Sequence, residues 1–202
     1  MDDVRKYGET QHMPFIVKEH EDLPGGGSLK MSTLDRSKGS IAPGFFVGRN
    51  TDGLLILLVA AVLVEDAAAN ATTYKVKKHH QLKAGMLVAG DSEESKAYAI
   101  TGIDNTSADH DVVTVGTSLG VALKAGETIF EVKAEDAEGG EYELPETPLG
   151  VAKNEIDLSK NHEDTGVSLN GTYTVAMMAF GAPKAFTKHL PLMRFNYPKN
   201  NA

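Results

Sequence analysis

The hydrophobic pattern of the chain changes near residue 50. In residues 1–50 the apolar residues are isolated or in short groups, and no segment keeps a helical or strand period. Such a segment buries too little apolar surface by itself to offset the entropy that it loses on ordering. Residues 1–50 are therefore either a disordered tail or an extended arm that orders against a partner.

We favour the extended arm, because the segment keeps large apolar side chains that a solvating tail would not need. The candidate binding residues of this arm are Phe15, Ile16, Val17, Phe45 and Phe46. An extended arm can add to a sheet edge of its partner through backbone hydrogen bonds, with alternate side chains in apolar pockets. The pattern thus predicts two regions, an arm over residues 1–50 and a folded body over residues 51–202.

From residue 51 the pattern is typical of short strands separated by turns. Strands are predicted at residues 74–78, 82–89, 97–103, 112–115, 128–132, 150–158 and 171–180, and a short helix at residues 183–189. Several short strands at this spacing predict a mainly β body, either a small β-barrel or a sandwich.

The most apolar part of the chain is the run LLILLVAAVLV at residues 54–64. A membrane-spanning helix needs roughly 20 apolar residues, so this run is too short to cross a bilayer and is expected in the core. Its pattern does not separate a buried strand from a short helix.

The sequence LKAG occurs twice, ending at Gly85 and at Gly126, and a strand-like segment follows each copy. Glycine readily adopts the positive φ that tight turns require. We therefore expect two similar turns that lead into strands.

The charge is unevenly distributed. Residues 1–50 hold equal numbers of basic and acidic residues, so the net charge of −8 arises in residues 51–202. An acidic body without a basic stripe argues against binding to nucleic acid or to an anionic membrane surface. The N-terminus has no basic segment followed by an apolar stretch, so no secretory signal is expected.

Two histidine-containing segments are the best candidates for a metal site. His79 and His80 end a predicted strand, and His110 lies between Asp109 and Asp111. In an extended strand the two adjacent histidines point to opposite faces, so both cannot join one site. We expect solvated loops here, with no bound metal and no cofactor.

No motif of nucleophilic catalysis, phosphate binding or dinucleotide binding is present, and the chain contains no cysteine. We therefore expect no catalytic residues and a protein that is not an enzyme. A small hydrolase or metal enzyme is the alternative that this argument leaves open.

Residues 74–132 carry a resemblance to a known family. The stretches concerned are YKVKKHHQLKAGMLVAG, KAYAITGID and DVVTVGTSLGVALKAGETIFEV. Their order is similar to that in the head-fibre proteins of tailed phages and prophages of gut Bacteroidetes, including crAss-like phages. Two later stretches, PLGVAKNEIDL and LNGTYTVAMMAF, resemble lambda-type capsid decoration domains.

This resemblance implies a decoration-protein-like β module on the outer capsid surface of a virion, made in the cytoplasm of a bacterial host. The implied partners are the major capsid protein, two further copies in a homotrimer, and other head-fibre proteins. Within a trimer the apolar run could form the subunit interface through Leu54, Ile56, Leu58 and Val62, or it could be buried within one subunit. The alternative function is a host-attachment module that binds surface glycans through loops such as residues 104–111.

Overall fold

A computed structural model describes residues 15–134 and 142–198 of the chain. In chain order its strands are β1 (Ile16–Asp22), β2 (Gly27–Ser28), β3 (Ser40–Ile41), β4 (Phe46–Arg49), β5 (Leu55–Leu57), β6 (Ala60–Val62), β7 (Thr73–Lys77), β8 (Leu87–Gly90), β9 (Tyr98–Asp104), β10 (His110–Val115), β11 (Thr128–Val132), β12 (Pro148–Ala152), β13 (Ile156–Asp157), β14 (Asp164–Thr165), β15 (Val167–Thr174) and β16 (Met193–Asn196). The helical segments are α1 (Lys184–Thr187) and short 3₁₀ turns at Met31–Thr33, Arg36–Lys38 and Val175–Met177. The predicted mainly β class is confirmed.

The strands form two large sheets and two small pairs. The first sheet has the order β1-β15-β12-β4-β5, and β16 adds to β15 as a parallel neighbour; the second has the order β6-β11-β8-β9-β10-β7. An isolated bridge between Leu63 and Val76 brings the two ends of the second sheet together, but among the described residues no strand ladder closes it. Of the two predicted architectures, the sandwich therefore fits and the closed barrel does not.

The apolar run at residues 54–64 passes from one sheet to the other. Its first half forms β5 in the first sheet, where the Leu58 N–H donates to the Phe46 carbonyl at 2.9 Å. Its second half forms β6 in the second sheet, where the Val59 carbonyl accepts from the Glu131 N–H at 2.9 Å. Leu58 to Leu63 are all buried, because the run lies between two packed layers. The run is thus a pair of strands, and the short-helix alternative is wrong.

Three aromatic rings join the two sheets within one hydrophobic core. Phe46 of β4 and Phe130 of β11 each contact Phe186 of α1 edge-on, with ring centroids 5.6 and 5.4 Å apart. Edge-on pairs place the positive ring edge against the negative ring face and so add to the burial of the rings. The short helix α1 therefore connects the two sheets through Phe186.

The prediction of a separate arm over residues 1–50 does not hold for residues 15–50, which form strands of the folded body. β1 pairs with β15, and β4 lies inside the first sheet between β12 and β5. Phe15, Phe45 and Phe46 are core residues with exposed fractions of 1%, 0% and 2%, so these three side chains cannot serve as accessible anchors. Residues 1–14 lie outside the described residues.

The local pattern missed these strands because each of them has a partner that is distant in sequence. β1 pairs with β15, and β4 is completed by β12 on one side. A strand that is covered by strands remote in sequence need not show a regular hydrophobic period in its own segment. Of the remaining predicted arm residues, Ile16 is half-buried and Val17 is 61% exposed.

The predicted turns at the two LKAG copies are confirmed. Gly85 and Gly126 have φ values of 89° and 91°, and β8 and β11 begin shortly after them. A side chain with a Cβ atom is strained at such angles. Glycine at these two positions therefore sets the direction in which each strand enters the second sheet.

Candidate functional site

A buried charged cluster lies where the end of β7 meets the start of β10. It consists of Lys38, Lys78, His80 and Asp111, and we refer to it as the Asp111 cluster. The Lys78 Nζ atom lies 2.7 Å from Asp111 Oδ1, while His80 Nε2 and Lys38 Nζ lie 3.2 and 3.8 Å from Oδ2. The side chains of Asp111 and His80 are both 1% exposed. A carboxylate so far from solvent is stabilised by the charges around it.

The strand pairing positions these groups. β10 pairs with β7 so that His110 faces Lys77, the last residue of β7. The residue after the strand, Lys78, therefore comes close to Asp111. Along β10, Asp111 shares a buried face with Val113 and Val115, because alternate residues of a strand point to the same side. The inward direction of Asp111 thus follows from the pleat of its own strand.

A left-handed residue directs His80 into the protein. His79 has a φ of 66°, which is uncommon for a residue other than glycine. The chain turns here, so that the His79 side chain is exposed and the His80 side chain is buried. The backbone conformation at one exposed position therefore decides which of the two histidines joins the Asp111 cluster.

The hydrogen bonds of His80 assign its proton. The Leu82 N–H donates to His80 Nδ1 at 3.2 Å, so the neutral ring carries its proton on Nε2, next to Asp111. Burial lowers the pKa of His80 to about 4, Lys38 acts in the same direction, and Asp111 opposes both. His80 is therefore uncharged at neutral pH. Within the described ranges neither His80 Nε2 nor Asp111 Oδ2 has an aligned hydrogen-bond partner.

Lys38 of the Asp111 cluster and two neighbouring hydrogen bonds connect the first fifty residues to the second sheet. The Asp35 N–H donates to the Gln81 Oε1 atom at 2.7 Å, and the Lys83 ammonium donates to the Thr33 carbonyl at 2.8 Å. Together with Lys38, these contacts hold the two 3₁₀ turns of residues 31–38 against the chain that follows β7.

The expectation of solvated loops is corrected for His80 and Asp111. The segments around His80 and around His110 were the candidates for a metal site. The fold brings His80 next to Asp111, whereas His79 and Asp109 are exposed. In the part of the chain that the structure describes, no three His, Asp or Glu side chains form a group that could hold a metal ion. The two ammonium groups beside Asp111 also disfavour a cation there.

A second polar feature, which the sequence did not indicate, is a groove of about 510 Å³ between the end of β8 and α1. Asp91 lies at its floor, is 8% exposed, and accepts the Lys184 N–H at 2.7 Å. Burial raises the pKa of Asp91 to about 6, and the Lys184 N–H opposes this shift. The groove is further lined by Glu93, Glu94, Glu127, Phe130, Tyr142 and Lys188.

The four residues predicted for a subunit interface fall into two pairs. Leu58 and Val62 are buried within their own chain, with exposed fractions of 1% and 6%. Leu54 and Ile56 are half-buried at β5, an outer strand of the first sheet. Leu58 and Val62 therefore belong to the internal core, whereas contact of Leu54 and Ile56 with a second subunit stays a prediction.

The fold and the Asp111 cluster define a mainly β protein with two packed sheets and a buried charged centre. Comparison of the chain with protein-family models, curated proteins and solved structures found no match in any of the three. Among residues 15–134 and 142–198, no helix has the length and apolar character needed to cross a membrane.

Proposed function

We propose that the chain is a non-enzymatic structural protein of a tailed-phage virion, which decorates the outer capsid surface as a head-fibre or cement subunit. The observation that carries this proposal is the placement of residues 74–132. This segment has the resemblance to head-fibre proteins, and its strands β7 to β11 are five consecutive members of the second sheet.

In this proposal, exposed side chains of the body make the contact with the major capsid protein. Phe15, Phe45 and Phe46 are buried and hold the body together instead. The exposed apolar residues Met177 and Leu192, 58% and 63% exposed, are candidates for this contact, because a partner that covered them would remove apolar surface from water.

The proposal includes a homotrimer in which β5 lies near the subunit contact. Ile56 and Leu54 are half-buried there, and a partner that covered them would remove further apolar surface from water. Three linked copies would also strengthen weak contacts with the capsid, since the second and third contacts form at a high effective concentration.

Two measurements test the proposal. Native mass spectrometry of the purified chain is expected to give a trimer, and the chain is expected to co-sediment with capsids assembled without it. Ile56→Glu is expected to shift the trimer towards the monomer. The matched control is Val17→Glu on β1, at the opposite edge of the first sheet, which should leave the trimer intact. A monomeric chain that does not bind capsids contradicts the proposal.

A glycan-binding attachment module is the second candidate, favoured by the hairpin between β9 and β10. Its tip, residues 104–109, is largely exposed and rich in side-chain oxygen atoms, which could accept and donate hydrogen bonds to sugar hydroxyl groups. Binding of the isolated chain to bacterial surface polysaccharide, lost on replacing Asn105 and Thr106 by Ala, would support this candidate. Capsid co-sedimentation without polysaccharide binding supports the structural role alone.

A further inference from the structure

Lys78 and Asp111 are placed as the two partners of a condensation reaction. The Lys78 Nζ atom lies 2.7 Å from Asp111 Oδ1, and this contact places the nitrogen next to the carboxyl carbon Cγ that it would attack. The Asp111 side chain is 1% exposed and the Lys78 side chain is 26% exposed. Asp111 lies in β10, and Lys78 directly follows Lys77, the residue of β7 that pairs with His110, so the pairing of these two strands brings the two side chains together.

We propose that Lys78 and Asp111 form an intramolecular amide bond, which links the end of β7 covalently to β10. The reaction joins Lys78 Nζ to Asp111 Cγ, breaks the Cγ–Oδ1 bond and releases one water molecule. It involves no change of oxidation state, and it requires no reactant besides the two side chains. The proposal is independent of the proposed virion function.

Both protons of the released water molecule come from the Lys78 ammonium group. The Lys78 ammonium first transfers a proton to Oδ1 along the existing contact, which gives a neutral amine and a neutral acid. The amine nitrogen then attacks Cγ and passes a second proton to Oδ1, which leaves as water.

The other groups of the Asp111 cluster face the second carboxyl oxygen. When the nitrogen attacks, negative charge develops on Oδ2. His80 carries its proton on Nε2, 3.2 Å from Oδ2, and the Lys38 ammonium is 3.8 Å away. Preorganised donors at the atom that gains charge are the usual means of stabilising such an intermediate. His80 Nε2 has no aligned hydrogen-bond partner within the described residues, so this donor is not engaged elsewhere and would align with Oδ2 as the charge develops.

The bond would give this chain a covalent crosslink that its composition otherwise lacks. The chain has no cysteine and hence no disulfide. The new bond would close the loop from residue 78 to residue 111, which contains β8 and β9. Crosslinks of this kind stabilise a fold mainly by restricting the unfolded chain.

An exposed ion pair of the same chain provides an internal comparison. Lys124 Nζ lies 2.8 Å from Asp66 Oδ2, almost the same distance, but the two side chains are 65% and 58% exposed. Solvation keeps both groups charged, and the positions are not fixed by packing. We expect no amide bond between these two residues.

Mass spectrometry of the intact purified chain, after incubation of the folded protein at neutral pH, tests the proposal. The expected mass is below that of the linear sequence by one water molecule. Fragmentation of a digest is expected to show the peptide with Lys78 joined to the peptide with Asp111. Lys78→Arg is expected to keep the linear mass, whereas Lys124→Arg is expected to retain the water loss.

Two results would overturn the proposal. One is a wild-type chain that keeps the full linear mass after incubation. The other is a water loss confined to Asp52, which precedes Gly53 and could form a cyclic imide, with unlinked peptides around Lys78 and Asp111. As a test of the role of His80, His80→Leu is expected to slow bond formation by roughly 10²-fold, the usual effect of removing one such donor.

Discussion

The imidazole of His80 and the carboxylate of Asp111 lie 3.2 Å apart, although both side chains are almost completely buried. Such a pair persists because Lys38 and Lys78 compensate the negative charge, and because the Leu82 N–H satisfies the other ring nitrogen. Removal of one member of a buried charged group costs more than the pair itself contributes, since the remaining charges lose their partner.

Asp111→Ala is therefore expected to lower the free energy of unfolding by about 3–5 kcal/mol. Compared with the chain before the proposed amide bond forms, the ammonium groups of Lys38 and Lys78 would lose their counter-ion, and the His80 ring would lose its neighbour. Urea denaturation followed by circular dichroism measures this loss. Asp109→Ala, two residues earlier on the exposed hairpin tip, is the control and should change stability by less than about 0.5 kcal/mol.

The raised pKa of Asp91 predicts that the free energy of unfolding depends on pH. Its folded-state pKa of about 6 lies above the unfolded value of 3.8, so the folded protein holds the proton more tightly. The stabilising effect is complete below the unfolded pKa and is lost as pH rises towards and beyond about 6. The ionised carboxylate then costs up to about 3 kcal/mol at neutral pH.

Asp91→Asn tests this dependence, because an amide oxygen can still accept the Lys184 N–H and cannot ionise. The variant is expected to match the wild type at pH 4 and to exceed its unfolding free energy by about 1–3 kcal/mol at pH 7.5. Thermal unfolding across this pH range measures the difference. Glu94→Gln on the same groove should follow the wild-type profile, and an Asp91→Asn variant that also follows it would contradict the prediction.

Replacement of Phe45 tests whether its segment belongs to the core or is a detachable arm. Phe45 is 0% exposed and packs on Phe180 with ring centroids 6.5 Å apart. Phe45→Ala should cost about 3–5 kcal/mol in unfolding free energy, because it leaves a cavity in the core. Val17→Ala at the exposed start of the chain's first strand should cost less than about 0.5 kcal/mol. Equal and small effects at the two sites, measured by denaturant midpoint, would favour the arm.

Position 150 is expected not to tolerate a side chain larger than that of glycine. A Cβ atom at Gly150 would lie 2.5 Å from the Ser168 carbonyl oxygen of the neighbouring strand, and backbone cannot move aside easily. Gly150→Ala is expected to destabilise the protein by about 1–3 kcal/mol. At Gly102 in β9 a Cβ atom would meet nothing within 4 Å. Gly102→Ala should therefore be neutral or stabilising, and the same thermal melts compare the two variants.

The strands from β7 to β11 were predictable because each carries its own signal. Thr73–Lys77 and His110–Val115 alternate buried with more exposed side chains, and the glycines of the two LKAG turns mark where the next strands begin. The signal for the buried carboxylate was also present. Asp111 continues the inward-facing series of Val113 and Val115, so the period of two places it inside.

The role of residues 15–50 was not predictable from the local pattern. β1 and β4 gain their burial from β15 and β12, which come more than a hundred residues later in the chain. A scan of neighbouring positions contains no information about such partners. The same reason explains why Asp91 was missed, since its partner Lys184 belongs to a distant helix.

The sequence alone determined the mainly β class, the turns at the two LKAG copies and the burial of most of the run at residues 54–64. These features depend on backbone preference and on hydrophobicity, which each residue carries with it. Only the tertiary structure decided that residues 15–50 complete the first sheet and that Lys38, Lys78, His80 and Asp111 meet. A charge cluster of this kind depends on distances between remote segments, and those distances arise only when the strands pair.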